Sequence, residues 1–218
     1  MNVAAYIDHT ILKPTTSPAD VKKCCSEAEE YQFAAVCVPP PFVRTSKSAL
    51  SNSKVKIATV AGFPFGYSVA LAKLAEVQQA LKDGADEIDV VINLAALKNG
   101  SWSYLESEIE LLIEPIHKQG RIIKVIIESG ILTDEEITRC CKIYSQAGAD
   151  FIKTSTGYAE RGATIEAVQL MRNCLPSAVK IKASGGIKKY EFARQLIDAG
   201  ADRIGCSAGV VIVKQSHE

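Results

Sequence analysis

Short β-rich runs and longer helical stretches alternate along the whole chain. The runs are AYIDHT, AAVCV, VKIATVAGF, EIDVVIN, RIIKVIIES, DFIKTS, VKIKAS and RIGCS, eight in all. Between most of them lie helical patterns such as PADVKKCCSEAEEY, ALAKLAEVQQALKDG, TDEEITRCCKIYSQAG and KYEFARQLIDAG. A strand followed each time by a helix pairs with the next strand in parallel, because the helix carries the chain back across the sheet face. Eight such units in 218 residues fit a compact α/β fold, a (β/α)8 TIM barrel. A doubly wound open sheet is the alternative, but no GxGxxG follows the first run. No linker or low-complexity segment interrupts the pattern, so residues 1–218 are expected to form one domain.

Helix starts agree with this reading. Ser17-Pro18-Ala19-Asp20 offers a capping residue, a proline at the first helical position and an acid in the first turn. Thr133-Asp134-Glu135-Glu136 matches a capping box. Gly-Ala-Asp recurs three times between a helix and a strand, in DGADEIDVV, AGADFIKTS and AGADRIGCS. Its glycines, Gly84, Gly148 and Gly200, suit the left-handed position that ends a helix. Five residues beyond them stand Asp89, Lys153 and Gly205. Because strand side chains alternate faces, equivalent units place these three on one face and at one height. A carboxylate and an amine at one depth read as a site, and a buried ion pair is the other reading of the same spacing.

Composition narrows the function classes. Lys plus Arg and Asp plus Glu number 25 each, and this zero net charge excludes the basic footprint of a nucleic-acid binder. The opening MNVAAYIDHTILKP meets charge too early for a secretory h-region, and no apolar run reaches the ~18 residues of a membrane span. The protein is expected to be soluble and cytoplasmic. Its seven cysteines (Cys24, Cys25, Cys37, Cys140, Cys141, Cys174 and Cys206) are odd in number, without a CxxC. They read as free, mostly buried thiols in a reducing compartment. His9, His117 and His217 are too scattered for a metal-spacing motif, so no metal site is expected.

Two lysines stand near the ends of apolar runs, Lys153 in DFIKTSTG and Lys182 in VKIKASGG. In a TIM barrel the loops that follow such strand ends carry the active site. These would be neighbouring strands six and seven, about 4.8 Å apart. Like-charge repulsion and desolvation would then make one amine lose its proton easily, and a neutral amine attacks carbonyls. An outward-facing lysine, between strand and helix, is the other reading of either position. Lys124 shares the parity of Glu128, so an inward set of Asp89, Lys124, Lys153 and Lys182 would make a polar interior. Such a cluster is costly unless mutually bonded, which points to function. Lys180 has Lys182's parity but fits that interior poorly, and its flexible stem can carry the ammonium to the lower mouth. Ser184-Gly185-Gly186 and Gly205-Cys206-Ser207-Ala208-Gly209, after runs seven and eight, suggest a phosphate site made by backbone N–H groups.

The segments IDHTILKP, EIDVVINLAALKNG, KVIIESGILT, FIKTSTGYAERGAT and IKASGGI resemble the deoxyribose-phosphate aldolase family over nearly the whole chain. The resemblance implies reversible cleavage of 2-deoxy-D-ribose 5-phosphate to glyceraldehyde 3-phosphate and acetaldehyde, without metal or cofactor. Lys153 resembles the family's Schiff-base lysine, Lys182 the second lysine that perturbs it, and Asp89 the acid/base carboxylate. Gly185, Gly186, Gly205 and Ser207 resemble its phosphate loops. Asp8, Thr10, Cys37, Lys124 and Thr154 match positions near the substrate or in its polar network. The partner implied is a phosphorylated sugar, with no nucleic acid and no membrane, and a homo-oligomer (dimer or tetramer) is left open. The chain departs from the family at Pro39, where many relatives carry Asn, which bears on the contacts of the second loop. AGFPFGYSVALAKLAE lacks the Thr-rich stretch that often follows the FP-G turn. A Schiff-base barrel for another phosphorylated substrate and a non-catalytic phosphate-binding barrel are the competing functions.

Overall fold

Every one of the eight β-rich runs forms a strand, and the strands close in sequence order into one parallel barrel. The computed structural model describes residues 2–217. In chain order the elements are β1 (Ile7–Thr10), α1 (Pro18–Glu30), β2 (Ala35–Val38), α2 (Val43–Ala49), β3 (Lys56–Ala61), α3 (Ala70–Asp83) and β4 (Glu87–Val91). They continue with α4 (Leu94–Lys98), α5 (Trp102–Lys118), β5 (Ile122–Ile126), α6 (Asp134–Gln146), β6 (Phe151–Lys153), α7 (Ile165–Cys174) and β7 (Lys180–Ser184). The last three are α8 (Tyr190–Asp198), β8 (Arg203–Cys206) and α9 (Gly209–Gln215). The anticipated starts of α1 and α6 are both full capping boxes, Ser17 with Asp20 and Thr133 with Glu136. Each satisfies backbone donors that the first helical turn leaves without partners.

Gly84, Gly148 and Gly200 all adopt left-handed backbone, with φ of 99°, 91° and 113°. A residue with a Cβ is strained there, so the triplet's glycine stops the helix and turns the chain into the next strand. The pairing register then shows what this repeat positions. From Cys37 the cross-strand partners run through Ala58 to Glu87, and two residues further along β4 is Asp89. Asp89 leads likewise through Lys124 and Phe151 to Lys153, and Lys153 through Lys182 and Arg203 to Gly205. Gly205 leads through Asp8 and Ala35 back to Cys37. Each strand pair gains two residues and the circuit gains eight, the shear of a TIM barrel. Asp89, Lys153 and Gly205 therefore share one layer, as the repeat implied, and Cys37 of β2 completes it. The same count puts Asp8, Ala58, Lys124 and Lys182 in the next layer down, and Ala35, Glu87, Phe151 and Arg203 below that.

The barrel interior is divided. Small residues of β2 and β3 (Ala35, Cys37, Ala58 and Val60) form one buried cluster, packed by Leu12 and Phe63 above. They leave the volume that long lysine stems from β5, β6 and β7 fill from the other side. A larger apolar core lies between the strands and the helix ring, with contributions such as Leu105, Ile109, Leu112 and Ile116 at helical spacing on α5. All seven cysteines are free thiols, six of them buried. Pro39 precedes a short 3-10 turn, Pro40–Phe42. No helix among the described residues is long and apolar enough to cross a membrane.

Candidate active site

One carboxylate anchors the polar half of the barrel. Asp89 Oδ2 accepts hydrogen bonds from Lys153 Nζ and Lys182 Nζ, each at 2.8 Å, and Oδ1 accepts one from Lys124 Nζ at 2.9 Å. Lys153 is 2 % exposed, and Asp89, Lys124 and Lys182 are fully buried. Beneath them the contacts continue. Lys182 Nζ lies 2.6 Å from Asp8 Oδ2, and Lys124 Nζ lies 2.5 Å from Glu87 Oε2 and 3.7 Å from Asp8. The Arg203 guanidinium spans Asp8 and Glu87, donating to Glu87 Oε1 at 3.1 Å. It also lies over the Phe151 ring, 5.8 Å from the centroid. Four cationic side chains thus share three carboxylates, all inside one connected cluster.

That imbalance falls on Lys153. Burial opposes ionisation of Asp89, but the three ammonium groups outweigh it and hold the carboxyl well below its ordinary range. Burial likewise opposes the charge on Lys182, yet Asp8 and Asp89 keep its ammonium titrating above an ordinary lysine. Lys124 is raised in the same way by Asp89 and Glu87. Lys153 is pushed down, first by burial and further by Lys182, with Asp89 restoring only part. Two lysines on neighbouring strands suggest like-charge repulsion first, whereas in the folded barrel desolvation leads and repulsion follows.

Above this floor opens a cleft of about 560 Å³ at the C-terminal ends of the strands. Lys153 is the lysine of the cluster that lines it, and Asp89 and Lys182 sit beneath. Thr10, Gly185, Gly186, Gly205 and Ser207 also line it, with Lys188 beside the glycine turns. Gly185 and Gly186 have φ of 90° and 79°, a left-handed backbone that a side chain would strain. Asp8, Cys37 and Lys124 belong to the layers described above and do not line the cleft. Thr154 does not reach it either. As the residue after inward-facing Lys153 it turns away, and its hydroxyl donates to Ser184 O at 3.2 Å and accepts from Ser184 N–H at 3.0 Å. Thr154 therefore ties β6 to β7. Pro39 is also absent from the cleft wall.

Sequence reasoning missed several members. Glu87 and Arg203 lie three residues beyond the glycines of their Gly-Ala-Asp triplets, so the register that located Asp89 and Gly205 would have located them too. Lys180, by contrast, is exposed below, its Nζ 5.7 Å from the Phe151 centroid, as its poor fit suggested. His9, weighed only as a metal ligand, borders the cleft and pairs through Nε2 with Glu27 at 2.8 Å. Glu128, in left-handed backbone at φ 55°, accepts from the Thr156 N–H and hydroxyl and so shapes the loop after β6.

This geometry has known counterparts. The DeoC/LacD family of aldolases matches residues 2–218. The chain belongs to that family. It is an enzyme, an aldolase of the lyase class. The deoxyribose-phosphate aldolase of Thermococcus gammatolerans is 49% identical over 216 residues, covering 98% of this chain and 96% of the relative. That of Caldanaerobacter subterraneus subsp. tengcongensis is 47% identical over 216 residues, covering 99% and 94%. Among solved structures, the tetrameric deoxyribose phosphate aldolase from Aeropyrum pernix superposes with a TM-score of 0.92 at 30% identity, covering 99% of this chain and 91% of that one. The aldolase barrel anticipated from the alternating pattern and the quoted segments is thus the fold observed.

Proposed function

We propose that this aldolase reversibly cleaves 2-deoxy-D-ribose 5-phosphate to glyceraldehyde 3-phosphate and acetaldehyde through a Schiff base on Lys153. The observation that carries the reading is the floor of the cleft. Lys153 alone of the buried lysines opens onto it, burial favours its neutral form, and it touches a carboxylate shared with Lys182. In the synthetic direction the neutral Nζ attacks the acetaldehyde carbonyl, and the oxygen takes up a proton. The carbinolamine loses water to give an iminium, which acidifies the adjacent carbon. Asp89, charge-coupled to the Lys182 ammonium, takes that proton through a water and leaves an enamine. The enamine carbon attacks the aldehyde of glyceraldehyde 3-phosphate, whose oxygen is protonated as the new C–C bond forms. Water then adds to the iminium and releases product and free amine. Cleavage is the reverse sequence.

Gly185, Gly186, Gly205 and Ser207, with Lys188 beside them, are the groups we assign to the phosphate, because they line the cleft and glycine backbone with a nearby cation suits an anion. Asp8 and Lys124 act through the cluster that holds Asp89. Cys37 acts as a small wall beside it, and Thr10 as a rim contact. The iminium supplies the electron sink, so the proposed chemistry needs no metal, and activity is expected to survive exhaustive chelation. Loss on chelation with recovery on adding zinc would refute this. We also infer that residues 1–218 act as one domain, that the enzyme works in a reducing cytoplasm, and that it assembles as a dimer or tetramer. Light scattering tests the last point.

The deciding experiment is borohydride reduction in the presence of acetaldehyde, followed by peptide mapping. One ethyl group on Lys153 is expected. An adduct on Lys182 would reverse the roles of the two lysines, and no adduct at all would remove the Schiff base.

A further inference from the structure

Arg203 and Glu87 lie two layers below the carbon chemistry and touch nothing in the cleft, yet both are joined to it by continuous charge contacts. Arg203 occupies Asp8 Oδ1 and Glu87 Oε1. The other oxygens of those carboxylates meet Lys182 at 2.6 Å and Lys124 at 2.5 Å. These two lysines in turn meet Asp89 at 2.8 Å and 2.9 Å, the same carboxylate that Lys153 touches. We propose that Arg203 and Glu87 are positioning residues that set, from the bottom layer, how much of the Asp89 charge is left for Lys153. The proposal rests on the Schiff-base reading of Lys153.

Charge is counted here in a closed space. Arg203, Lys124, Lys153 and Lys182 face Asp8, Glu87 and Asp89, so with every group ionised one cation is in excess, and loss of one proton balances the cluster. Arg203 cannot lose its proton and therefore draws on Asp8 and Glu87 permanently. Lys182 and Lys124 must then lean on Asp89, and Lys153 is left undercompensated. Without Arg203, Asp8 and Glu87 would serve Lys182 and Lys124 fully, and Asp89 would pair with Lys153 and keep it protonated. Without the Glu87 charge the shortage deepens, and Lys153 loses its proton more easily.

The other groups facing Lys153 do not alter this count. Cys37 from β2 is a thiol that burial pushes up, so it is neutral near pH 7. Glu128, beyond β5, makes no ion pair among the described residues and uses its oxygens on Thr156; its charge interaction with Lys153 runs at longer range and is the same background in wild type and variants. Around Arg203 the remaining neighbours are Phe151, Lys182 on the adjoining strand, and the exposed Lys180, whose Nζ lies 5.7 Å from the same ring's centroid.

The test measures the titration of Lys153 itself, by trace acylation across pH with mass spectrometric readout at that lysine. No substrate is needed, so the result stands apart from whether a Schiff base forms. Arg203→Met is expected to move the midpoint up by about one pH unit, and Glu87→Gln to move it down by a similar amount. The double variant again leaves one cation in excess and should return close to the wild-type midpoint. A residue of merely structural importance would not give opposite shifts that cancel. Arg203→Lys, which keeps the charge, should hold the midpoint while its pairing geometry changes. If Arg203→Met fails to fold, the downward shift of Glu87→Gln and the return in the double variant still decide. Shifts in one direction for both single variants, or an unmoved Lys153, overturn the proposal. Borohydride trapping with acetaldehyde on the same proteins separates the two readings: an unmoved midpoint with trapping intact sinks only this inference. Absence of trapping in the wild type sinks the Schiff base.

Discussion

At the scale of single residues, Lys153 and Lys182 show how two identical side chains on adjacent strands come to differ. Both donate to the same Asp89 oxygen, but Lys182 also has Asp8, and Lys153 has no second carboxylate contact among the described residues. Replacing Lys182 with Leu removes a like charge and frees Asp89 at once. Both changes favour protonated Lys153, so its titration midpoint rises. A rise of about one pH unit corresponds to about 1.4 kcal/mol between the two protonation states. Turnover near neutrality should collapse, and borohydride trapping should slow there and recover at higher pH. Lys182→Arg keeps the charge but not an exchangeable proton of the same acidity, so it should preserve more trapping than turnover. Superimposable pH curves for the three proteins would mean that Lys182 does not tune its neighbour. Gly205 makes a second test. A Cβ there would lie 2.9 Å from Lys182 Cε and 3.0 Å from Ser184 Cβ. Gly205→Ala should therefore displace the lysine stem and lower kcat by about a hundredfold, the cost of a misplaced catalytic group. Circular dichroism should stay close to wild type, and an unchanged kcat would show that the stem has room to move.

At the scale of elements, strand ends and the loops after them line the cleft to which the proposed function assigns the phosphate. Ser207, in the loop after β8, is exposed on the cleft wall next to Gly205 and near Gly186 and Lys188. Ser207→Asp should raise KM for deoxyribose 5-phosphate far more than it changes activity on unphosphorylated deoxyribose, since the new carboxylate repels a phosphate dianion. Some loss of kcat is also expected, because remote binding energy is used at the reacting centre. Equal losses on both substrates would place the phosphate elsewhere. These elements were largely legible in the sequence, because the code for them is local. Capping boxes begin α1 and α6, glycines end the helices before β4, β6 and β8, and side-chain parity carries Asp89 and Lys153 to one layer. What escaped is which of these charges meet. The glycine register can turn Glu87 and Arg203 inward, but only closure of the barrel brings them together from β4 and β8. Nothing local sets Lys73 apart, yet it is fully buried, with Nζ donating to Glu108 at 2.9 Å and to Val91 O at 2.8 Å. Thr154, which the family pattern puts near the substrate or in its polar network, is turned by strand alternation to Ser184 and away from the cleft.

At the scale of the whole molecule, the charged cluster ties catalysis to stability, because the groups that tune Lys153 also fill the barrel. Asp8 and Asp89 both titrate below ordinary carboxylates in the folded chain. The unfolded state thus binds protons more readily than the folded one, and stability rises with pH through that window. Their contribution is complete above about pH 4, the unfolded value, and is lost as pH falls toward the lower folded values. Glu128, raised by burial, acts in the opposite sense: the folded state takes up its proton first, so its cost is relieved as pH falls toward the ordinary glutamate value. The wild-type curve should be nearly flat down to about pH 5 and then fall steeply. Lys182 and Lys124, raised in the fold, give stability that is present below an ordinary lysine pKa and lost as pH rises through their folded values. Asp89→Asn isolates the acid limb. It removes the one carboxylate that three ammonium groups share, leaving buried cations undercompensated, at a cost of roughly 3–5 kcal/mol. That deficit should be largest near neutrality. It should shrink as the wild type is acidified below about pH 4, because protonation takes from the wild type what the substitution has already removed. Urea unfolding at a series of pH values measures both curves. If they run parallel through the acid range, Asp89 does not link the cluster to folding, and the acid sensitivity belongs to other carboxylates, Asp8 among them.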